Sequence, residues 1–328
     1  MSPKHILIVL VVLSLVFFVR YRIPNTSNVV SDNIEITGSY NKMKRIIRVK
    51  NARLIKRVLT VNEVLEGLPY SYGTQDEYGR MEKVGCIGNG EVIVYNADRI
   101  GRGVQIIKSN KQFIELALRL PSTSYDVDVL YDLAKNIARQ WSSKRIVDVD
   151  SGQKVLLSDI ITLKDRDNDI NINLLSYTYS FDPYIVVCPS VFYPISIDSH
   201  TIKSFGTKET YSLYADYLHS RQTIEAYYCR VIIASYPELG GIIGLYPLSA
   251  DIDIIVPIKP EAMYDSDDGV KECDQYYMAF PSDAELLKVD YDTFIAKVPA
   301  NLIEQFDATH WHLKPMSREL LDALFEGK

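Results

Sequence analysis

Two histidines separated by one residue are the side chains best placed to do chemistry in this 328-residue chain. Alternate residues of a strand point to the same face, so His310 and His312 would present their imidazoles together. Imidazoles are common zinc ligands, and Asp307 is the nearest residue that could add a carboxylate. Because no further ligand stands at a suitable spacing, we predict no metal site and no cofactor.

An acidic segment and the cysteines offer other candidate chemistry. Carboxylates alternate in Asp165–Asp169 as in a calcium loop, but an EF-hand would require Gly and Glu where the chain has Ile170 and Ser176. The sequence contains no GxSxG elbow, HExxH helix, phosphate-binding loop or kinase signature. We therefore predict a non-enzymatic protein. The alternative is a hydrolase that uses the acidic clusters, the two histidines, or Cys229 or Cys273 with His310.

The strongest single pattern is the apolar run Ile6–Val19, in which thirteen of fourteen residues are Ile, Leu, Val or Phe. A helix of this length spans roughly 21 Å, and the flanking Lys4 and Arg20 can extend toward the membrane surfaces. The run predicts a transmembrane anchor over residues 1–23, with a cleaved signal peptide and a buried core helix as alternatives. The anchor residues are Ile6, Leu10, Leu13, Phe17 and Val19.

Basic residues dominate the segment that follows. Residues 1–57 hold 11 Lys and Arg against 2 acidic residues, a net charge of +9, whereas residues 58–328 carry −15. We predict a polar linker and basic neck over residues 24–60 that lies against anionic lipid headgroups, and a solvated charged element is the alternative. No aromatic residue is interleaved with the cations, so no specific nucleic acid is predicted as a partner. The neck residues are Lys42, Lys44, Arg45, Arg48, Lys50, Arg53, Lys56 and Arg57.

The charge distribution also predicts an orientation for the anchor. Only Lys4 and the α-amine precede the apolar run, so the positive-inside rule places the head on the cytosolic side. Sparse, widely spaced cysteines agree with that compartment, because a disulfide framework is typical of secreted domains. We expect reduced thiols at Cys86, Cys188, Cys229 and Cys273.

The elements that must position these residues form an α+β head over residues 61–328, rich in β-strands and mostly antiparallel, with a few packed helices. Asp126–Trp141 has apolar residues at three-and-four spacing, which predicts a helix packed on a sheet. Ser282–Val289 and Pro299–Phe306 are also predicted as helices, and a domain boundary is placed near residues 199–208. The strand-rich stretches lack the regular intervening helices of a parallel sheet and lie at 91–108, 145–163, 174–197 and 224–258.

The order of these parts resembles the membrane-anchored minor capsid proteins of large icosahedral double-stranded DNA viruses. The resemblance lies in the anchor Ile6–Val19, the cations of Lys42–Arg57 and the Tyr-rich head, and it assigns no site residue. It implies a structural protein that ties an internal viral membrane to the capsid, with the lipid bilayer and other structural proteins as partners. A membrane-tethered hydrolase and a bacterial envelope binding module are the alternatives.

Overall fold

The computed structural model describes residues 43–75, 81–82, 92–177, 185–236, 241–260, 273–282 and 286–326. These residues form an α+β fold that consists mostly of β-sheet. Three regions follow one another along the chain: a sheet region, a hairpin region and a paired-sheet region.

The sheet region, residues 44–177, is built on a sheet of eight strands within the described ranges, in which every registered pair is antiparallel. The strands are β1 (Lys44–Lys50), β2 (Ser71–Gln75), β3 (Met81–Glu82), β4 (Val92–Tyr95), β5 (Val104–Ser109), β6 (Phe113–Arg119), β7 (Arg145–Asp148) and β8 (Lys154–Leu156). Their spatial order is β3-β2-β4-β5-β6-β1-β7-β8, so β1 is an interior strand. The structure therefore places Lys44–Lys50, within the predicted linker and basic neck, inside the sheet.

Three helices belong to the sheet region: α1 (Val61–Val64), α2 (Ser124–Gln140) and α3 (Ile160–Tyr177). Helix α2 begins at a capping box in which Thr123 and Asp126 each accept from the other's backbone N–H, and its apolar stripe packs on the sheet. This element agrees with the helix predicted over Asp126–Trp141. The stretches 145–163 and 174–197, predicted to be rich in strands, include the two ends of helix α3, and there the prediction is wrong. The strand ends at Leu156, and a 3₁₀ turn, Leu157–Asp159, leads into the helix.

The hairpin region contains the antiparallel strands β9 (Ile185–Pro189) and β10 (Pro194–Asp198), followed by helices α4 (Ser199–Lys203) and α5 (Tyr211–Gln222). Asp198 caps α4 by accepting from the backbone N–H of Thr201. The predicted boundary at residues 199–208 thus falls on a helix. Ile202 of that helix is fully buried in the same core as Ile195 and Ile197 of the preceding strand.

The paired-sheet region contains two sheets of four described strands each, in the orders β11-β14-β18-β17 and β12-β13-β15-β16. The first consists of β11 (Ala226–Tyr228), β14 (Asp253–Pro257), β17 (Ile303–Gln305) and β18 (His310–Leu313). The second consists of β12 (Ile232–Tyr236), β13 (Gly241–Pro247), β15 (Gln275–Pro281) and β16 (Leu286–Asp290). Helices α6 (Tyr291–Lys297) and α7 (Arg318–Glu326) complete the region and share its apolar core.

Two sequence predictions fail in the paired-sheet region. Residues 286–289 of the stretch Ser282–Val289 lie in strand β16, and Ile303–Gln305 of the stretch Pro299–Phe306 forms strand β17, so neither is helical. Residues of β16 alternate between exposed and half-buried, which is the period of a strand with one face on the core. The pairs β11–β14 and β13–β15 are parallel, and the other pairs registered among the described strands are antiparallel.

The predicted fold class and localisation included a transmembrane helix, and this part of both predictions is corrected. Among the helices of the described ranges, none combines the length and the apolar character needed to cross a bilayer. The single-pass membrane protein with a cytosolic head is therefore not supported. The run predicted as the anchor, Ile6–Val19, lies outside the described residues.

Candidate functional site

The structure divides the predicted basic neck into a buried strand and an exposed loop. In β1, Arg45 shares the inner face with Ile47 and Val49, and only 6% of its surface is exposed. Its guanidinium donates to Asp148 and, at 3.0 Å from Nε, to Asp167. Burial alone would lower the pKa of Arg45, but the hydrogen bond to Asp148 and the charge of Asp167 raise it. Arg45 is thus an internal ion-pair partner.

Arg48 lies on the other face of β1 and is also held within the sheet. It forms an ion pair with Glu115 of β6, whose side chain is almost fully buried. The guanidinium lies 4.8 Å from the ring centroid of Phe113, and Lys108 stands 3.4 Å from the second carboxylate oxygen of Glu115. These contacts stabilise the pairing of β1, β5 and β6 and leave Arg48 no role as a free surface cation.

The remaining neck residues differ in their surroundings. Lys44 and Lys50 are at the two ends of β1, half-buried and exposed respectively, while Lys42 lies outside the described residues. Arg53, Lys56 and Arg57 all lie in an exposed loop, residues 52–58, which we call the basic loop. The predicted anchor residues, Ile6, Leu10, Leu13, Phe17 and Val19, also lie outside the described residues.

His310 lies on β18 with both ring nitrogens hydrogen-bonded. Nδ1 is 3.0 Å from Asp307 Oδ1, and Nε2 is 2.7 Å from the hydroxyl of Tyr228. Because a carboxylate only accepts, we assign the proton to Nδ1, which leaves Nε2 to accept from Tyr228. Burial raises the pKa of Tyr228, so its phenol stays protonated and serves as a donor. Asp307, His310 and Tyr228 therefore form a chain of hydrogen bonds that connects β18 to β11.

His312 is held between two other carboxylates, Asp253 of β14 at 2.6 Å from Nε2 and Glu304 of β17 at 3.0 Å from Nδ1. Lys314 adds a contact of 3.0 Å to Glu304. The hydrogen bonds to Lys314 and His312 lower the pKa of Glu304. The two histidines therefore have different polar partners. His312 connects β18 to its neighbours β14 and β17, whereas His310 connects β18 to β11 on the far side of β14.

No group of three or more His, Cys, Asp or Glu side chains that could hold a metal ion occurs among the described residues. The acidic segment Asp165–Asp169 lies on helix α3 and does not form a loop. Asp167 is 1% exposed and accepts from Arg45 and Tyr131, whereas Asp169 pairs with Lys208 at the surface. Cys188, Cys229 and Cys273 are buried free thiols, and burial raises the pKa of Cys229 well above its ordinary value. Such a thiol is a poor nucleophile.

A groove of about 380 Å³ lies beside β15 and α6, and we call it the acidic groove. Three carboxylates and three tyrosines contribute to its lining. The groove residues are Pro260, Asp274, Gln275, Tyr276, Tyr277, Asp290, Tyr291 and Asp292. The described residues of its lining include no histidine or cysteine, so their chemistry is that of negative charge and aromatic surface.

Local structure positions each groove carboxylate. Asp290 is the N-cap of α6 and accepts from the backbone N–H of Thr293 at 2.9 Å. Asp292 follows in the first helical turn, is exposed, and makes no hydrogen bond or ion pair with another described residue. Asp274 precedes β15 and accepts from the backbone N–H of Ile242 at 2.7 Å. Of the three, only Asp292 has its carboxylate wholly available to a ligand.

Two glycines of β13 leave space for groove residues on the parallel neighbour β15. A Cβ on Gly241 would stand 2.5 Å from Asp274 Oδ2, and one on Gly244 would stand 2.6 Å from the ring of Tyr276. Any larger residue would push these side chains out of place, so the glycines shape the groove wall. Tyr276 and Tyr277 are half-buried there, whereas Tyr291 is 1% exposed and forms the floor, its hydroxyl donating to the carbonyl of Pro257.

Sequence reasoning missed the acidic groove because its residues come from several elements. One local signal was available: Asp290 is a residue type favoured at the N-cap, Asp292 is an acidic residue of the kind enriched in the first turn, and together they mark the boundary between β16 and α6. The convergence of Asp274 with Asp292 depends on the β13–β15–β16 pairing, which no local pattern encodes.

The chain was compared with protein families, curated proteins and solved structures. A family model described as a domain of unknown function, DUF4299, matches residues 44–324. No curated protein and no solved structure matches the chain. The matched region begins at β1 and ends in α7, so it spans all three structural regions.

Proposed function

Because this chain belongs to the DUF4299 family, whose function is unknown, we propose a role from its site: a non-enzymatic binding protein whose acidic groove holds a cationic side chain of a protein partner. The proposal retains the non-enzymatic interaction role that the sequence suggested, but it does not include a membrane anchor. The resemblance to minor capsid proteins remains a prediction from the order of the parts alone.

The observation that carries the proposal is the composition of the groove wall. Asp274, Asp290 and Asp292 bring three negative charges to one concave surface, and the half-buried Tyr277, which pairs with Asp290 in the β15–β16 register, adds an aromatic ring. An ammonium or guanidinium group is attracted both by carboxylates and by the face of an aromatic ring. A volume of about 380 Å³ accommodates an arginine or lysine side chain and lies at the lower end of the range for ligand pockets.

The alternative, a hydrolase that uses the histidines, has less support. Each ring nitrogen of His310 and His312 is within hydrogen-bond distance of a protein group, and those partners also connect strands. A general base needs a nitrogen that can reach the proton of a substrate or water. Neither His310 nor His312 lines the groove. The carboxylates that are accessible to a ligand and the two imidazoles therefore lie in different parts of the structure.

Saturation-transfer NMR with N-acetyl-arginine amide and N-acetyl-lysine amide tests the proposal on the full chain at low salt. We expect both to bind, and the isosteric but uncharged N-acetyl-citrulline amide to give a much weaker signal. Asp292→Asn should weaken binding of the cations by about two- to fivefold, the usual value of one exposed ion pair. Asp165→Asn removes the same charge from exposed α3 and is the matched control.

Two results would contradict the proposal. Equal binding of citrulline and arginine derivatives would show that charge is not what the protein recognises. Equal loss of binding in the Asp292 and Asp165 variants would show that the overall negative charge, rather than the groove, attracts the cation.

A further inference from the structure

The basic loop exposes two large apolar side chains between cations. Leu54 is fully exposed and Ile55 is 87% exposed, although both are aliphatic. Arg53 and Lys56 flank them, are exposed, and form no ion pair with another residue that the structure describes. Adjacent exposed aliphatic side chains with unpaired cations on both sides are typical of a surface that a partner covers.

Both ends of the loop are fixed to the sheet region, so its tip is presented by a stable base. Asn51 is buried, donates to the carbonyl of Lys111 and accepts from the backbone N–H of Arg53. The N–H of Ala52 donates to the carbonyl of Trp141 at 3.1 Å. At the other end Leu59 is buried, and Thr60 starts α1 with a capping box. The exposure of the tip therefore belongs to the fold and not to a frayed end.

The acidic groove has the complementary properties on the same chain. It offers carboxylates and the ring of Tyr277 to a cation, and Asp292 has no hydrogen bond or ion pair within the described residues. Strand pairing and the helix cap hold its walls in place. The loop lies in the sheet region and the groove in the paired-sheet region, so each chain carries both surfaces at separate positions in the fold.

We propose that the basic loop of one chain docks into the acidic groove of a second copy, with Arg53 or Lys56 placed between Asp292 and Tyr277. The inference rests on the proposed function and names the partner of the same groove. A contact between two different surfaces is heterologous, so it joins chains head to tail into a ring or an open filament. A seven-residue loop buries little area, so each single contact is weak and sensitive to salt.

Charge reversal on each surface tests the contact in the full chain, with sedimentation velocity as the measurement. The loop variant is Lys56→Glu with Arg53→Glu, and the groove variant is Asp292→Lys. We expect the wild type to associate at low salt and to dissociate at high salt. Each variant alone should associate about tenfold more weakly or worse, because the loop side chains at positions 53 and 56 and the groove side chain at position 292 then carry like charges.

An equimolar mixture of the two variants gives the decisive result. The carboxylates introduced at positions 53 and 56 of one variant face the ammonium group introduced at position 292 of the other, and the unchanged loop faces the unchanged groove, so association should return in the mixture. A single chain that carries all three substitutions should also associate. Asp165→Lys is the control for the groove variant, since it reverses an exposed charge elsewhere and should leave association unchanged.

The possible failures are distinguishable from failure of the proposed function. If the wild type stays monomeric at low salt but still binds N-acetyl-arginine amide, the self-docking inference is wrong and the cation-binding groove stands. If neither association nor amide binding occurs, both are wrong. If the charge-reversed variants associated as strongly as the wild type, association would arise from another surface and the inference would be overturned. Binding of the protein to anionic phospholipid vesicles would also overturn the inference if Leu54→Ser abolished it and Asp292→Lys did not.

Discussion

Strand β1 and the basic loop belong to one continuous basic stretch of sequence, but their cations have opposite environments. In β1, Arg45 is 6% exposed and faces Asp148 and Asp167, while Arg48 pairs with the buried Glu115. In the loop, Arg53 and Lys56 are exposed and have no ion pair within the described ranges. The acidic partners of β1 are distant in sequence, and only the sheet and α3 bring them to it. Residue type predicts the charge of this stretch, whereas tertiary structure decides whether the charge stabilises the fold or remains available to a partner.

The largest effect that tests this comparison is expected from Arg45→Met. Removing the guanidinium leaves the buried carboxylates of Asp148 and Asp167 without their principal counter-charge. Breaking a buried ion pair on one side costs about 3–5 kcal/mol, because an uncompensated charge remains in the interior. Urea denaturation of both proteins measures the free energy of unfolding.

Arg53→Met is the matched control, since it makes the same substitution at an exposed position of the same basic stretch. We expect it to change the free energy of unfolding by less than about 0.5 kcal/mol. Similar losses in the two variants would mean that the loop is packed as firmly as the strand, and the comparison would fail.

The part of the fold that sequence predicted is the part with regular apolar periodicity. Helix α2 was predictable because its buried positions carry Val127, Leu130, Tyr131, Ala134 and Ile137 at helical spacing. Helix α3 has the same spacing of buried positions, but two of them are Asp167 and Asn171, so the apolar stripe is interrupted. Those polar residues are buried because Asp167 pairs with Arg45 and Asn171 bonds to Ser122 and to its own helix. A pattern based on hydrophobicity cannot anticipate such pairs.

The same limit applies to the candidate site. The spacing of His310 and His312 suggested a pair of metal ligands. Their imidazoles instead bond to side chains of β11, β14 and β17, and these bonds connect strands. The acidic groove gave no local pattern, because strands β13, β15 and β16 and helix α6 converge there only after folding. Periodicity predicts which face of a helix or strand is buried. Neither periodicity nor residue spacing predicts which helices and strands contact each other.

Lowering the pH should reduce the free energy of unfolding by an intermediate amount, because it protonates a buried carboxylate that pairs with β1. Burial alone would raise the pKa of Asp148, but hydrogen bonds from Arg45 and Ser151 and the charge of Arg45 lower it from 3.8 to about 2. A folded-state pKa below the unfolded value gives stability that is complete above about pH 4 and is lost as the pH falls toward 2. Over that interval Asp148 should lose about 2 kcal/mol of its contribution to the free energy of unfolding.

The measurement is the difference in unfolding free energy between the wild type and Asp148→Asn in urea, from about pH 5 to about pH 2.5. This difference should narrow as the pH falls, because the asparagine cannot titrate. Asp165→Asn, at an exposed position of α3, should show a small difference that does not change with pH. A constant difference for Asp148 would show that Arg45 does not hold this carboxylate in its charged form.

The smallest effect on stability is expected at the tip of the basic loop, where Ile55 is 87% exposed. Ile55→Ser removes an aliphatic side chain that contributes no buried surface in the monomer, so the free energy of unfolding should change by less than about 0.5 kcal/mol. Ile47→Ser makes the same substitution in β1, where the side chain is fully buried, and should cost about 3 kcal/mol or more through the lost packing and the buried hydroxyl. Both are measured in urea at low protein concentration, where docking between copies does not contribute. A large loss for Ile55→Ser would show that this side chain is covered within its own chain, and the loop would then be part of the core rather than a surface for a partner.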